Sequence, residues 1–421
     1  MIDHHKALIA PIRVFRHPNA DRVQLGIVSG FQVIVGMEVK TGDIGVYFPE
    51  DTVIGKDYAE KNMDLLEYFE KNLRVRTQTF RGQKSEGFWA PLETLYDVLS
   101  PIDYYLEEGN TLGVVGTKEI CKKYINPETE RVRQRAGLNK KLSNKQLPNF
   151  RKHFDTEQVK LNWKHINKLI ADGIPAILTW KLHGTSARTG NVLVPKVLPW
   201  YKRLLKGLGV NIETNEYRYI IGSRNVMYLG DAEDAWYNNE IRTKAAKPFI
   251  GKLFDNEVVY YEIVGYQPNG SSLFSHTTTH IKDKKIKKQL KNLFGDKFDY
   301  SYGCEPGEFK IFVYRIAMEY PNGIIIDRTW DQLKQRCKDM GVEHVVEIPH
   351  KYKLYDINQD FLDMINSDIV DPIDDRHVKE GVCLRFDDPL NLVIFKDKTY
   401  TFKLLEGIVK EQNVVDIEEA G

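Results

Sequence analysis

The stretch ILTWKLHGTSARTG, residues 177–190, decides how the chain is read. A hydrophobic, strand-like run ending at Trp180 delivers Lys181 into a small-residue turn, Leu182-His183-Gly184-Thr185-Ser186. A lysine at the mouth of a buried strand becomes a nucleophile when burial or neighbouring cations depress its pKa. Gly184 would allow a positive φ and the close approach of a phosphate. Thr185 and Ser186 supply short hydroxyl donors. Alone, the pattern equally describes a strand end with a surface lysine, so its weight depends on the residues downstream of it.

Downstream lies a series of strand ends bearing chemistry. YRYIIGSRN ends in Ser223-Arg224-Asn225, and VVYYEIVGYQ is a buried strand whose one acid is Glu262, ahead of Gly265. EFKIFVYRIAM alternates Phe312 and Tyr314 with Val313 and Arg315. HVKEGVCLRF carries Glu380. VIFKDKTYTFKLLEG reads as a final strand with Lys396 and Lys398 two apart, hence on one face. Between them, helix patterns fall at Val159, Trp163, Ile166 and Ile170, in VLPWYKRLLKGLG, in the lysine-dense IKDKKIKKQLKNLFG, and in RTWDQLKQRCKDMG, where Gly341 is the stop. The lysines of the third are read as a solvated face.

Toward the N-terminus, three β-like runs, ALIAPIRVF, RVQLGIVSGFQVIVG and DIGVYFP, are separated by turn residues. Tyr58 to Asn72 reads as a charged helix. Arg74, Arg76, Arg81 and Lys84 are interleaved with Phe80, Phe88 and Trp89. Two arrangements fit: a nucleic-acid groove of cations and stacking rings, or aromatic core with solvated arginines. Residues 131–145 (RVRQRAGLNKKLSNK) are basic, polar and poor in apolar side chains, as a linker is.

The 421 residues suggest two or three domains. Lys and Arg (60) nearly balance Asp and Glu (59), so any basic surface must come from clustering. The four cysteines are scattered with no Cys-x-x-Cys pair, which excludes a zinc ribbon and a disulfide scaffold. His276 and His280, in HTTTH, have half a zinc site's spacing but no third ligand, and are read as chance. No apolar run is long enough to span a bilayer, and the N-terminus lacks a signal peptide's apolar core. A soluble, intracellular monomer without zinc or a membrane partner is the expectation.

The ordered series resembles the nucleotidyltransferase motifs of covalent ATP-dependent polynucleotide ligases, over almost all of residues 150–405. KLHG is similar to the nucleophile motif, SRN to the second, EIVG to the third, FVYRI to the adenine-stacking motif, EGVCLRF to the fourth and FKDKTYTF to the fifth. DNA ligases and capping enzymes typically have Asp where this chain has His183, and place an oligonucleotide-binding (OB) domain after the last lysine motif. Here the β-module comes first, as in the Deinococcus-type nick-sealing RNA ligases. The implied fold class is α+β: an OB-like barrel module (1–130), a basic linker (131–145), and a mixed α/β, ATP-grasp-like nucleotidyltransferase domain with antiparallel sheets (146–421).

The resemblance implies ATP as substrate and Mg²⁺ or Mn²⁺ as cofactor, with nicked duplex RNA or an RNA/DNA hybrid as partner. Lys181 would attack the α-phosphate, though its ordinary pKa of about 10.4 must first be overcome. Lys396 and Lys398 would help by lowering that pKa and stabilising phosphate charge. Glu380 would hold the ion through water, Glu262 would accept from the ribose, and Tyr314 would stack on adenine. His183 and Gly184 would shape the nucleotide turn, and Arg224, Arg188 and Ser186 would meet phosphates. Each has a plainer role available: a salt-bridge partner for Glu262, a core ring for Tyr314, edge-strand lysines for Lys396 and Lys398. An RNA-capping guanylyltransferase and a non-catalytic OB RNA-binding protein are the competing readings. Deletion of residues 1–140 is expected to spare lysine adenylylation and weaken sealing.

Overall fold

A computed structural model describes residues 6–66, 69, 72–99, 106–124, 147–196, 198–224, 227–228, 240–279, 281, 284–348 and 356–408. The basic segment 131–145, Asn225 and His280 lie outside the described residues.

The N-terminal part is a β-rich module of small sheets. One has the order Thr111–Leu112, Ala7–Pro11, Ile44–Phe48, Phe88–Pro91; another joins Arg13–Arg16, Val23–Val28 and Phe31–Gly36. Strand alternation explains how they pack. Ala7, Ile9, Val46 and Phe48 face one core, while Leu8, Ala10 and Tyr47 face another that also holds Val33 and Trp89. Among the described residues no single sheet closes on itself as a ring. The charged piece expected at 58–72 is a short helix, Lys56–Lys61, and a 3₁₀ turn, Met63–Leu66.

Two sheets organise the rest. The smaller has the order Glu157–Gln158, Val393–Lys398, Gly381–Phe386, Ala176–Lys181. The larger is seven-stranded and mostly antiparallel, with Thr185–Pro195, Glu257–Gly265 and Phe309–Glu319 at its centre. Glu257–Gly265 is buried along its whole length, acids Glu257 and Glu262 included. The helix Trp330–Met340 packs beside the neighbouring strand Phe309–Glu319, started by a capping box at Thr329 and stopped by Gly341 at φ +69°.

Leu182-His183-Gly184 is the step from one sheet to the other. Lys181 ends the last strand of the smaller sheet and Thr185 begins a strand of the larger. Two glycines make this junction possible. At Gly184 an added Cβ would lie 2.4 Å from the Ile263 carbonyl oxygen. It is therefore the Glu262 strand that demands the missing side chain, and Gly184 is not among the positive-φ residues expected of it. At Gly381, φ +150°, an added Cβ would lie 2.1 Å from the Asp397 carbonyl oxygen. Gly381 pairs with Lys181 on one side and Lys398 on the other.

The last expected strand is corrected in part. Strand Val393–Lys398 ends at Thr399, whose Oγ1 accepts from the Phe402 N–H at 3.2 Å, and a helix, Tyr400–Ile408, begins there. The hydroxyl cap outweighs the β-like run TYTF.

Substituting Gly381→Ala should cost about 2 kcal/mol or more, because backbone rather than a flexible side chain must move. A urea unfolding midpoint equal to wild type would contradict this packing.

Candidate active site

One cavity of about 570 Å³ lies between the two sheets and the N-terminal module, a volume in the range of nucleotide-sized ligands. The smaller sheet contributes Lys181, Glu380, Cys383, Lys396 and Lys398, and the larger contributes Ser186, Glu262 and Tyr314. Register explains the convergence. Lys181, Gly381 and Lys398 form one cross-strand row, and Thr179, Cys383 and Lys396 the next on the same face.

Glu380 is the electrostatic centre. Its carboxylate is almost wholly buried; Oε1 lies 2.8 Å from Lys181 Nζ and 3.3 Å from Lys398 Nζ. Burial pushes the Glu380 carboxyl up, but Lys181 and then Lys398 outweigh it and hold it at about 2. Its Oε2 is buried without a hydrogen-bond partner.

Lys398 also reaches Glu406 on the final helix, at 2.9 and 2.8 Å from its two oxygens. Burial pulls Lys398 down, yet Glu406 and Glu380 more than compensate and keep it charged well above the usual lysine range. Lys396, two residues earlier, forms no ion pair among the described residues. Burial first, then Lys398, Lys181 and Arg224, push it down to about 7.

His183 stands beside the Glu380 carboxylate, its Nδ1 3.8 Å from Oε2. Its backbone N–H donates to Tyr302 Oη at 2.7 Å, and its ring sits against Phe274, Tyr300 and Phe402 at 4.3, 4.6 and 4.9 Å. Burial holds it well below the ordinary histidine value. Across the cavity, which it lines, Ser186 Oγ donates to Glu262 Oε2 at 3.1 Å. Tyr314 is half-buried, its ring meeting His153 edge-on at 5.1 Å, and His153 stacks on Phe154 at 4.3 Å.

Arg188 is buried, and its Nη1 donates to the carbonyls of Ser223 and Arg224 at 2.8 and 2.9 Å, with the guanidinium over Phe150. It holds the loop that presents Arg224 and is not among the residues that line the cavity. Arg224 itself lines the cavity, paired with Asp155.

The mixed basic–aromatic segment divides. Arg74, Arg76, Lys123 and Tyr124 form the module's wall of the cavity. Trp89 is core, and Lys84 lies over the Tyr400 ring. Arg81 Nη1 donates to the Asn19 carbonyl at 3.0 Å. The seam with the final helix is fixed by Lys403, 3.0 Å from Glu50 Oε1. Glu406 and Asp155 were not singled out in the sequence. Glu406 was hidden because its segment reads as strand; nothing local marks Asp155.

No protein-family model matches the chain, and no curated protein matches it. Its fold is similar to that of solved RNA ligase structures from Naegleria gruberi. A lysine-to-methionine variant with AMP and Mn is 17% identical, with a TM-score of 0.59 over 95% of this chain and 98% of that one. A glutamate-to-alanine variant with ATP and Mn is 16% identical, TM-score 0.60, covering 94% and 98%. The ligase with PPi is 17% identical, TM-score 0.57, covering 94% and 97%. At such identity the likeness establishes a shared fold.

Anion binding should reveal Lys396. With its ligand-free value at about 7, it is mostly neutral near pH 8 and mostly charged near pH 6. An anion beside it raises that value. Pyrophosphate binding at about pH 8 should therefore take up close to one proton more in wild type than in Lys396→Met, a difference that fades toward about pH 6. Calorimetry in buffers of different ionisation enthalpy measures it; equal uptake by both proteins would refute the assignment.

Proposed function

We propose that the chain is an ATP-dependent RNA ligase of the Deinococcus-type nick-sealing kind, joining a 3′-hydroxyl to a 5′-phosphate through a lysine–AMP intermediate at Lys181. The observation that carries this is the cationic row itself: Lys181 and Lys398 on one buried carboxylate, with Lys396 beside them, facing Glu262 and Tyr314 across a nucleotide-sized cavity. The shared fold supports it, since the similar structures are of an RNA ligase holding ATP, AMP or PPi.

The reaction is three displacements at phosphorus. Lys181 gives up its proton and its Glu380 contact, then attacks the α-phosphorus of ATP; the bond to pyrophosphate breaks and pyrophosphate leaves. A 5′-phosphate oxygen of the RNA attacks the same phosphorus, the N–P bond breaks, and Lys181 regains a proton. The 3′-hydroxyl attacks the activated 5′-phosphorus, loses its proton, and AMP leaves. Lys398, permanently charged, stabilises developing negative charge, and Lys396 adds a second cation when phosphate occupies the site. Ser186 orients Glu262 toward the ribose hydroxyls, and Tyr314 lies against the adenine.

A divalent cation fits beside Glu380. Its buried Oε2 lacks a hydrogen-bond partner, and no cluster of three His, Cys, Asp or Glu occurs among the described residues. The chain would thus give Mg²⁺ or Mn²⁺ one carboxylate, leaving water and phosphate oxygens to complete the shell. Bound there, the ion would neutralise phosphate charge.

The N-terminal module is read as an OB-like holder of nicked duplex RNA or an RNA/DNA hybrid. It also walls the nucleotide cavity, through Arg74, Arg76 and Lys123. We therefore expect, against the reading from sequence alone, that removing residues 1–140 slows lysine adenylylation as well as sealing. Wild-type adenylylation by a folded truncation would refute that revision.

The function is tested with α-labelled ATP and a divalent cation. Label should survive denaturation of wild type, come off in acid, and be absent from Lys181→Ala. Label from GTP and not ATP would indicate RNA capping. No label from either, with Mg²⁺ or Mn²⁺, would leave a non-catalytic RNA-binding protein.

A further inference from the structure

The hairpin formed by Thr185–Pro195 and Asn215–Ser223 reaches away from the cavity. From Thr185 and Ser223 at the cleft, its strands run about 30 Å to Pro195 and Asn215. There the chain makes a helix, Trp200–Gly207. The helix is terminated by its own sequence. Gly209, at φ +86°, donates its N–H to the Lys206 carbonyl at 3.0 Å, and the Val210 N–H donates to the Leu205 carbonyl at 3.1 Å. These are the paired bonds of a Schellman stop.

Its apolar side is left open. Trp200 is 78% exposed, Leu204 59% and Leu208 72%, and Tyr201, Leu205 and Val210 are exposed as well. At about 100° per residue, Trp200, Tyr201, Leu204, Leu205 and Leu208 fall within roughly 140° of the circumference, while Lys202 and Lys206 stand outside that arc. Lys196 is paired with Glu213, but from Val197 to Ile212 the sequence has Lys202, Arg203 and Lys206 and no acid. Contiguous exposed apolar surface of this kind marks a binding face.

We propose that this helix docks the protein on an anionic lipid surface. Trp200, Leu204 and Leu208 enter the boundary between headgroups and acyl chains, and Lys202 and Lys206 lie among the anionic headgroups. The chemistry favours lipid over the other occupants. An RNA could stack bases on Trp200 and Tyr201, but it would leave Leu204, Leu205, Leu208 and Val210, the larger part of the apolar face, without an apolar partner. A second copy of the helix would bring like charges together, with no acid in the segment to offset them. The separation of about 30 Å leaves the cavity open to solvent when the tip is bound. This concerns a peripheral contact: no helix among the described residues is long and apolar enough to cross a membrane.

The test is co-sedimentation of the full chain with vesicles of phosphatidylcholine alone or mixed with phosphatidylserine. Wild type should bind the mixed vesicles and not the neutral ones, with a blue shift in tryptophan emission that Trp200→Phe removes. Leu204→Ser with Leu208→Ser, and separately Lys202→Ser with Lys206→Ser, should each weaken binding about tenfold or more while leaving the thermal unfolding midpoint unchanged. Vesicle binding that is equal in wild type and both double variants overturns the proposal. So does binding that ignores phosphatidylserine. Absence of vesicle binding overturns it too, in favour of a second copy if the leucine variants abolish a dimer seen by sedimentation, or of RNA if they abolish duplex binding.

Discussion

A carboxylate buried between two ammonium groups is the interaction on which the site depends. Isolated, Glu380 would be costly to bury as a charge, by several kcal/mol even after relaxation. Lys181 and Lys398 make its ionised form the stable one. The dependence runs both ways, because Glu380 also fixes where those ammonium groups stand. With Glu406 on the far side of Lys398, the two lysines Lys181 and Lys398 meet two carboxylates at the base of the cavity. Lys396 adds positive charge when an anion raises its value from about 7. An incoming polyphosphate meets charge already oriented, and little reorganisation is left to the moment of reaction.

Hydrogen-bond ladders set that geometry. The row Lys181–Gly381–Lys398 belongs to one sheet and the row Ser186–Glu262–Phe312 to the other. The Leu182-His183-Gly184 step joins them at the site. The buried, neutral ring of His183 fixes the step from inside, against Phe274, Tyr300 and Phe402. An aspartate there would carry a charge into that aromatic box; imidazole enters it uncharged. The nucleophile is thus held by sheet register, close packing at two glycines, and one aromatic contact set.

The strand-end groups were legible because their signals are local. A buried apolar run ending in Lys181, a run interrupted at Glu262, and a run that begins just after Glu380 place these three without knowledge of the tertiary structure, and period two puts Lys396 and Lys398 on one face. The Gly341 stop and the helix before it were equally local. Arg188 was not, because alternation tells which face a residue occupies but not whether that face opens on a cavity or on Phe150. Arg74 and Arg76 reach the cavity only through the docking of the module, a contact between segments far apart in the chain. Glu406 was lost to the ambiguity of a short apolar run, where TYTFKLL satisfies strand and helix alike until Thr399 is seen to cap.

Lys396 and Lys398 show what position alone leaves undecided. They sit two residues apart on one strand, share a face, and line the same cavity. Yet burial and neighbouring cations bring Lys396 down to about 7, whereas Glu406 and Glu380 hold Lys398 charged. The difference arises from the final helix, which delivers its one carboxylate to the second lysine and none to the first. That helix is in turn seated on the N-terminal module by Lys403 and Glu50. One lysine therefore carries a permanent charge that organises Glu380. The other keeps a charge that an anion can call up, and the two protonation behaviours trace back to where a single helix begins.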